Sequence, residues 1–549
     1  MCRCEPSGAS DVGAAHPAAP RRLNFRVIAG LTLCNAAHFY SICNIFSYAA
    51  FLCVDMGWVE EIDEAGFIAG LLPTLLMLGR ILTSWPWGVL SDRIGVVACL
   101  RLSMISVALG NILFGFATQK WAALAVRFFL LGAGNGWVSL IGPISNDVGG
   151  AERQSEVLSL VFASGPVVQM IGPAIGGWLY GTILPDFPAI APSLVGAFVA
   201  ILGAVFGAGA LENAILPKRS SEAALEPAAL PKGAADGAAP GGVDPLDASI
   251  ELADAAPVAS VEGSNLARPA TIDGPPPRRP SLCSVMLSHP FPLVMLVRSG
   301  GGALMFGMFD VLPLWLAASR PVGGLALGKQ HLGLVLAAAS FAMMPWVTYP
   351  NGVCIRRQGV RTALLVSLLV TAVVYASIVP LTLAAFPLSP VGGAAICVVF
   401  AAIGGSAVTT TATAAFAATN NACERHRDRL GSISGVAVTV EAIGKMAGPG
   451  LGAPMLSALL AALKPSAAPP DGASIEPSPT LAMANGAFAT FGVFAAFSLL
   501  LALASLALPR SVEAPRRSAL LSGSSSTRSD HPSHGGANEG GGKEGAPAE

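Results

Sequence analysis

A few ionisable residues lie inside long apolar stretches of this sequence, where a charge is costly and usually serves a function. Asp310 is near the middle of the stretch 290–318, and no cation lies one helical turn away from it. Glu441 and Lys445 are four residues apart, which places them on one helix face. Because a carboxyl group shielded from water favours its protonated form, we predict that Asp310 or Glu441 binds and releases a proton. For Glu441 and Lys445, a self-neutralising structural pair is an equally good interpretation.

Two other polar residues share this setting. Arg80 precedes Gly88 by eight residues, or roughly 12 Å of helix, so we expect it to lie at bilayer depth. There Arg80, like Lys445, would tune the proton affinity of the carboxyl groups. His38 also stands in an apolar stretch. It is compatible with a proton relay and, equally, with a hydrogen-bonded packing histidine.

The composition excludes an ordinary soluble protein. Of the 549 residues, 53% are apolar and only 12% are charged, with a mean hydropathy of +0.63. Soluble domains average about 25% charged residues. The net charge of -1 also excludes a large basic surface for nucleic acid. A lipid bilayer is therefore the predicted environment.

Twelve stretches are long and apolar enough for spanning helices, which need about 20 residues. They lack the period-two alternation of strands. In chain order they are 25–53, 65–90, 95–117, 121–146, 156–182, 193–215, 290–318, 331–353, 361–384, 391–416, 431–463 and 484–508. We refer to them as spans 1 to 12.

The segments outside the spans divide the chain. Residues 216–288 are rich in Pro, Gly, Ala and Ser, which predicts a disordered linker. Residues 1–24 and 509–549 are predicted to be disordered tails. The remaining parts, 25–215 and 289–508, are predicted to be two bundles of six helices each.

Lysine and arginine residues are distributed unequally between the two sides of these spans. Most of those in short loops and near-membrane tails fall on the side that carries the termini and the linker. The positive-inside rule therefore predicts that both termini and the linker are cytoplasmic. It does not distinguish the plasma membrane from the vacuolar membrane.

The loop after span 2 carries a specific motif, Gly88-Val-Leu-Ser-Asp92-Arg93-Ile-Gly95. It resembles the signature of the major facilitator superfamily, and it falls where the count of spans requires it. The resemblance implies twelve helices in two pseudo-symmetric six-helix bundles, an all-α membrane fold. It also implies alternating access to a central cavity.

In that family the motif closes the cytoplasmic side of the transporter. By resemblance, Asp92 would face the start of span 11 near 431–434, and Arg93 would pair with Asp147. The usual basic residues after the motif are valines here, so Arg101 is the candidate substitute.

A degenerate copy of the motif follows span 8 and indicates that the two halves are duplicated. It contains Gly352, Arg356, Arg357, Gly359 and Arg361, but it lacks the acidic residue. Its position after the second span of the second half matches that of the first copy.

Span 4 carries Arg127 followed by Gly132 and Gly134, which resembles a further signature of the superfamily. We favour a functional role for Arg127, because an arginine within a span is costly. The alternative is an interfacial arginine whose long stem lets the charged group reach water.

Span 5 contains a series of glycines and prolines that resembles the motif of the drug:proton antiporter branch. Small residues permit close helix approach, and prolines free backbone carbonyls at a moving interface. A well-packed span is the alternative interpretation. The residues are Gly165, Pro166, Gly172, Pro173, Gly176 and Gly177.

Within the superfamily, the sequence most resembles the plant zinc-induced facilitator-like transporters. The segments that carry this likeness are 66–88, 142–144 and 323–325. That group tends to carry an N-terminal C-P-G-C and a histidine-rich central loop. Here Cys2-Arg-Cys4 replaces the former and no histidine lies in 216–288, so no metal site is predicted.

Together these features predict a secondary active transporter of a small molecule or ion. Proton-coupled antiport or efflux by a monomer is favoured, with protons as the coupling ion. A uniporter of a neutral solute and a non-transporting scaffold or receptor are the alternatives. No nucleotide-binding loop, metal-ligand spacing or catalytic constellation is found, so we predict no enzyme activity and no cofactor.

Overall fold

The computed structural model describes residues 23–214, 282–423, 430–462 and 486–513. Within these ranges the chain is helical and contains no strand. The two predicted tails and the linker as far as residue 281 lie almost entirely outside the described residues. The end of the predicted linker is ordered as a short helix, Leu282–Leu287.

Ten helices are long and apolar enough to cross a membrane. If the bent pair Phe25–Ser47 and Ala49–Asp55 is counted as one span, the number rises to eleven. A further helix, Leu430–Ala462, lies at the position of span 11. Every predicted span is therefore helical in the structure. The ten are Ile62–Ile94, Val96–Gly115, Lys120–Gly149, Glu156–Leu179, Ile190–Ala214, Phe291–Ala317, Lys329–Thr348, Val360–Ala385, Pro390–Ala422 and Gly486–Leu506.

Span 1 is broken in its second half. The α-helix Phe25–Cys43 gives way to a 3₁₀ turn at Asn44–Ser47, and the helix resumes at Ala49–Asp55 with a bend of 62°. Spans 4 and 6 contain π-helical segments, Arg127–Ala133 and Gly203–Gly207. Such local changes of helical pitch re-aim side chains and often occur at functional sites.

Span 7, Phe291–Ala317, is the most deeply enclosed helix, since almost nine tenths of its most apolar window is buried. It packs against spans 10, 11 and 12 and also meets the broken part of span 1. The outward faces of spans 3, 6, 9 and 12 expose leucine, isoleucine, valine and phenylalanine, as lipid-facing helices do. Span 7 therefore lies where the two halves meet.

Candidate functional site

A cluster of three ionised side chains joins spans 7 and 11. The Glu441 carboxylate accepts hydrogen bonds from Lys445 Nζ at 2.7 Å and from Arg298 Nε at 2.8 Å. Arg298 Nη2 lies 2.8 Å from the same carboxylate oxygen, Oε2. Lys445 comes from the next turn of span 11, whereas Arg298 comes from span 7. We call these three residues the ion cluster.

Arg298 extends the ion cluster to span 10. Its Nη1 donates to Thr419 Oγ1 at 3.1 Å, and its guanidinium lies 5.2 Å from the ring centre of Phe416. The sequence analysis missed Arg298. The rule applied to Arg127, that an arginine within a predicted span is functional by default, would have found it.

Arg80 faces the ion cluster from span 2 of the other half of the chain, which also contains His38. Thr74 Oγ1 of span 2 contacts the Met446 carbonyl of the antiparallel span 11 at 3.4 Å. Arg80 lies six residues beyond Thr74, and Glu441 lies five residues before Met446, so the two residues have a similar depth. The Arg80 guanidinium makes a weak 3.6 Å contact with Met77 Sδ. The buried His38 ring shares a 3.2 Å hydrogen bond with Asn135 Oδ1. The structure therefore places three of the predicted residues, Arg80, Glu441 and Lys445, at a similar depth, whereas His38 is held by Asn135.

Asp310 is separate from the ion cluster. It lies twelve residues after Arg298 on span 7, or roughly 18 Å along the helix. The side chain is only 2% exposed, and its Oδ2 atom has no hydrogen-bond partner among the described residues. No described lysine or arginine forms an ion pair with it. Asp310 is therefore a buried carboxyl group without a compensating cation.

An apolar pocket lies between the two halves near Asp310. Its free volume is about 40 Å³ in this conformation. Phe46 of span 1 stacks on Phe309 of span 7, with ring centres 6.2 Å apart. The remaining lining includes Gln169, Pro173, Met305, Met308 and Met343. Methionine-rich walls adapt readily to the shape of a bound solute.

Arg127 is 1% exposed and does not reach water. Its Nη1 donates to the Ser41 carbonyl at 2.6 Å, and its guanidinium lies 4.5 Å from the Phe114 ring centre. Ser41 precedes the break in span 1, where the regular helical hydrogen bonds end. The interfacial alternative for Arg127 is therefore wrong in this structure. The arginine instead satisfies a backbone carbonyl beside the break.

The glycines of the span 5 motif pack against two different helices, span 1 and span 8. A Cβ on Gly165 would lie 2.8 Å from the Phe39 ring, and one on Gly176 would lie 3.0 Å from Ser47 Oγ, so both glycines pack on span 1. A Cβ on Gly177 would lie 3.2 Å from Gly333 Cα of span 8. Gly172 has room, since its nearest contacts would be 3.7 Å away. Pro173 lies inside the helix, whereas Pro166 lies in its first turn.

One end of the molecule is closed by contacts between the halves. The Asp63 carboxylate accepts hydrogen bonds from Ser319 N at 2.8 Å and from Ser319 Oγ at 2.5 Å. Nearby, Gly66 N donates to Ser457 Oγ at 3.0 Å. We call this end the Asp63 face. The sequence analysis placed Asp63 only in an acidic loop and did not predict its partner.

The opposite end, which we call the Asp92 face, carries the motif Gly88–Gly95. Asp92 and Arg93 are exposed, and no described residue forms an ion pair with either. Asp147 is also exposed and is not paired with Arg93. Arg101 pairs with Glu212 of its own half instead. The predicted contact of Asp92 with 431–434 lies partly outside the described residues, so the latch stays a prediction.

The two motif copies share their backbone geometry. Gly95 and Gly359 have φ values of 88° and 91°, a region that favours glycine. In the second copy Glu513 supplies a carboxylate, which accepts from Val360 N at 2.8 Å and from Arg361 N at 3.1 Å. Glu513 thus caps span 9 in the copy that lacks an acidic residue. The other residues of this copy lie at the same helix end: Gly352 is half-buried, and Arg356 and Arg357 are exposed.

Comparison with known proteins agrees with this architecture. The model of the Major Facilitator Superfamily matches residues 31–449. The chain belongs to the major facilitator superfamily. It is therefore a multi-pass integral membrane protein of a superfamily whose members are transporters and not enzymes.

Relatives within the superfamily include plant proteins from Arabidopsis thaliana. A probable peptide/nitrate transporter is 26% identical over 58% of this chain and 61% of its own length. Zinc Induced Facilitator 1 is 33% identical over 25% of this chain and 28% of its own length. Zinc Induced Facilitator-like 1 is 34% identical over 27% of this chain and 30% of its own length. The matches thus span about three fifths of the first relative and less than a third of the other two.

Solved structures share the fold. A D-xylose-proton symporter has a TM-score of 0.58 at 11% identity, and the match covers 89% of this chain and 98% of that chain. An inward-facing bacterial homologue of the lysosomal transporter Spinster has a TM-score of 0.53 at 15% identity, with the same coverage. The predicted all-α membrane fold is confirmed.

Proposed function

We propose that this major facilitator is a proton-coupled exporter in which Asp310 binds the transported proton. The observation that carries this proposal is the isolation of Asp310, which is buried and has no cation in contact with it. A carboxyl group in such a place is more stable with a proton bound. It also changes protonation state readily when one side of the membrane gains access to it.

Glu441 is the weaker of the two carboxylate candidates. Two cations lie at hydrogen-bond distance from it, which stabilises its ionised form. The ion cluster ties spans 7, 10 and 11 together through Arg298. We therefore assign Glu441 and Lys445 a structural and electrostatic role.

The contacts between halves support alternating access by two rigid bundles, 25–215 and 289–508. Span 2 meets span 11 through Gly66 and Thr74, and span 5 meets span 8 through Gly177, all in the part of the helices toward the Asp63 face. Rocking about these small residues would open the Asp63 face. It would also bring Asp92 and Arg93 toward their predicted partners.

The direction of coupling follows from the predicted orientation. With both termini cytoplasmic, the Asp63 face is the outer face, and contacts between the halves close it in the present conformation. Asp310 lies nine residues before Ser319, roughly 13 Å of helix from the Asp63 face. Opening of that face would release the solute outside and let Asp310 take up a proton there. The return would release the proton inside, where the next solute binds. One chain supplies both halves of the cavity, so the transporter acts as a monomer.

The test is gradient-driven transport in proteoliposomes. Wild type is compared with Asp310→Asn for accumulation of radiolabelled 2-naphthoate, rhodamine 6G and D-xylose under an imposed pH gradient. We expect the wild type to concentrate at least one of these solutes. In Asp310→Asn, the accumulation of that solute is expected to fall at least tenfold. Exchange of internal for external solute at equal concentrations should be retained.

Asp186→Asn, which changes an exposed loop carboxylate, is the matched control and should behave as wild type. Gradient-driven accumulation by Asp310→Asn would remove Asp310 from the coupling mechanism. Transport that continues after nigericin collapses the gradient would favour a uniporter. Absence of transport for all three solutes would favour a scaffold.

A further inference from the structure

The charges between the two halves do not balance. Arg298 and Lys445 both form ion pairs with Glu441. Arg80 lies at a similar depth on the antiparallel span 2, because it is six residues beyond Thr74, whose Oγ1 contacts the Met446 carbonyl of span 11 at 3.4 Å, and Glu441 is five residues before Met446. Three positive charges against one negative charge leave an excess of two positive charges. Glu441 is the only described carboxylate that forms an ion pair with any of these cations.

Arg80 is the cation with unused binding capacity. Its side chain is partly exposed on span 2, and among the described residues its side-chain nitrogens have only the Met77 sulfur as a hydrogen-bond partner. A guanidinium has five N–H donors in a planar fork that matches the two oxygens of a carboxylate. A cation in a membrane-spanning helix without an anionic partner is costly. An anion placed between Arg80 and Lys445 would therefore be stabilised.

The apolar pocket adjoins this excess of positive charge through Phe306. Lys445 Nζ lies 5.5 Å from the centre of the Phe306 ring. The same ring lies 6.3 Å from Phe46 and 6.4 Å from Phe309, both of which line the pocket. A solute bound by its anionic group at Arg80 would thus direct an apolar body toward the aromatic and methionine side chains.

We infer that the solute carried by this protein is a small organic anion with an apolar body. The inference rests on the proposed transport function and names its substrate class. The anionic group binds Arg80 and Lys445, and the apolar body displaces the methionine side chains of the pocket. A carboxylate attached to an aromatic ring has this chemistry.

The experiment is equilibrium dialysis of the purified protein in detergent micelles, with binding to protein-free micelles subtracted. Three probes share one ring system: radiolabelled 2-naphthoate, 2-naphthamide and 2-naphthylmethylammonium. We expect saturable binding of 2-naphthoate and at least tenfold weaker binding of the other two. Arg80→Gln should weaken 2-naphthoate binding at least tenfold. Glu441→Gln should strengthen it several-fold, because it removes the competing carboxylate.

Arg80→Gln and Glu441→Gln are thus expected to change binding in opposite directions. If the two residues had only a structural role, both variants would weaken binding. Arg153→Gln breaks an exposed ion pair with Glu156 and serves as the control with unchanged binding. Equal binding of the three probes, a preference for the ammonium, or weaker binding by Glu441→Gln would overturn the inference.

This assay uses no proton gradient, so it is independent of the coupling role of Asp310. If 2-naphthoate fails to bind while the wild type concentrates another solute under a pH gradient, the substrate class is wrong and the proposed function stands. If 2-naphthoate binds but no gradient drives its transport, the coupling proposal fails instead.

Discussion

The two intramembrane carboxylates illustrate how surroundings decide the role of one chemical group. Glu441 accepts hydrogen bonds from two cations, so its negative charge is compensated within the protein. Asp310 lies on span 7, as Arg298 does, but it has no such partner. A transported proton needs a site that gains and loses charge at low cost. Asp310 fits this requirement better than Glu441 does.

The ion cluster should be energetically coupled. Removing one partner of a buried ion pair typically costs about 3 kcal/mol or more, because the other charge remains uncompensated. We expect Arg298→Met to lower the midpoint of thermal unfolding in detergent, and the double variant Arg298→Met/Glu441→Gln to lose less than the sum of the two single changes. The coupling should amount to about 1–3 kcal/mol.

The exposed pair Arg101 and Glu212 provides the comparison. Its side chains are 43% and 40% exposed, so the same cycle with Arg101→Met and Glu212→Gln should give a coupling below about 1 kcal/mol. Strict additivity in the ion cluster would contradict the assigned structural role.

The sequence predicted single positions better than partnerships. Arg80, Glu441, Lys445 and Asp310 were found because a charged residue in an apolar stretch is visible locally. The partners Arg298 and Glu441 are separated by 143 positions, and Asp63 and Ser319 by 256. Hydrophobic periodicity describes one helix at a time, so it does not show which helices pack together.

At the scale of elements, helix positions were predictable but local breaks were not. All twelve predicted stretches are helical, since each is a long apolar run. The break of span 1 at Asn44–Ser47 contains neither glycine nor proline, the usual signals of a kink. Arg127 binds the Ser41 carbonyl and Gly176 admits the turn, so tertiary contacts fix this break.

Span 5 should control closure of the Asp63 face through Gly177. A Cβ there would lie 3.0 Å from the Lys329 carbonyl oxygen and 3.2 Å from Gly333 Cα, both in span 8. Gly177→Val should therefore separate spans 5 and 8 and shift the population toward opening of the Asp63 face. We expect a cysteine at Ser319 to react several-fold faster with a membrane-impermeant maleimide in this variant.

Gly172→Ala tests whether any change in the motif has this effect. Its added methyl group would make ordinary 3.7 Å contacts within the same half, so labelling at residue 319 should not change. Similar acceleration by both variants would show that span 5 merely packs, with no specific role for Gly177.

At the scale of the whole molecule, the membrane fold was predictable from composition and length, whereas the conformation was not. The same apolar helices build either state, and only contacts between distant residues distinguish them. In this structure Asp63 and Ser319 hold one face closed, while the Asp92 motif makes no ion pair among the described residues. The two faces carry analogous acidic residues, which suggests alternate use of two latches.

The Asp63 latch gives the most direct test of alternating access. Ser319 Oγ donates a hydrogen bond to Asp63 Oδ2 at 2.5 Å. Cysteines at both positions should therefore form a disulfide under mild oxidation. The disulfide in Asp63→Cys/Ser319→Cys should hold that face closed and abolish solute exchange in proteoliposomes, and dithiothreitol should restore exchange. Each single cysteine variant should be unaffected by oxidant. Exchange that continues in the fully cross-linked protein would mean that the halves need not separate at the Asp63 face, and rocking of two bundles would then be wrong.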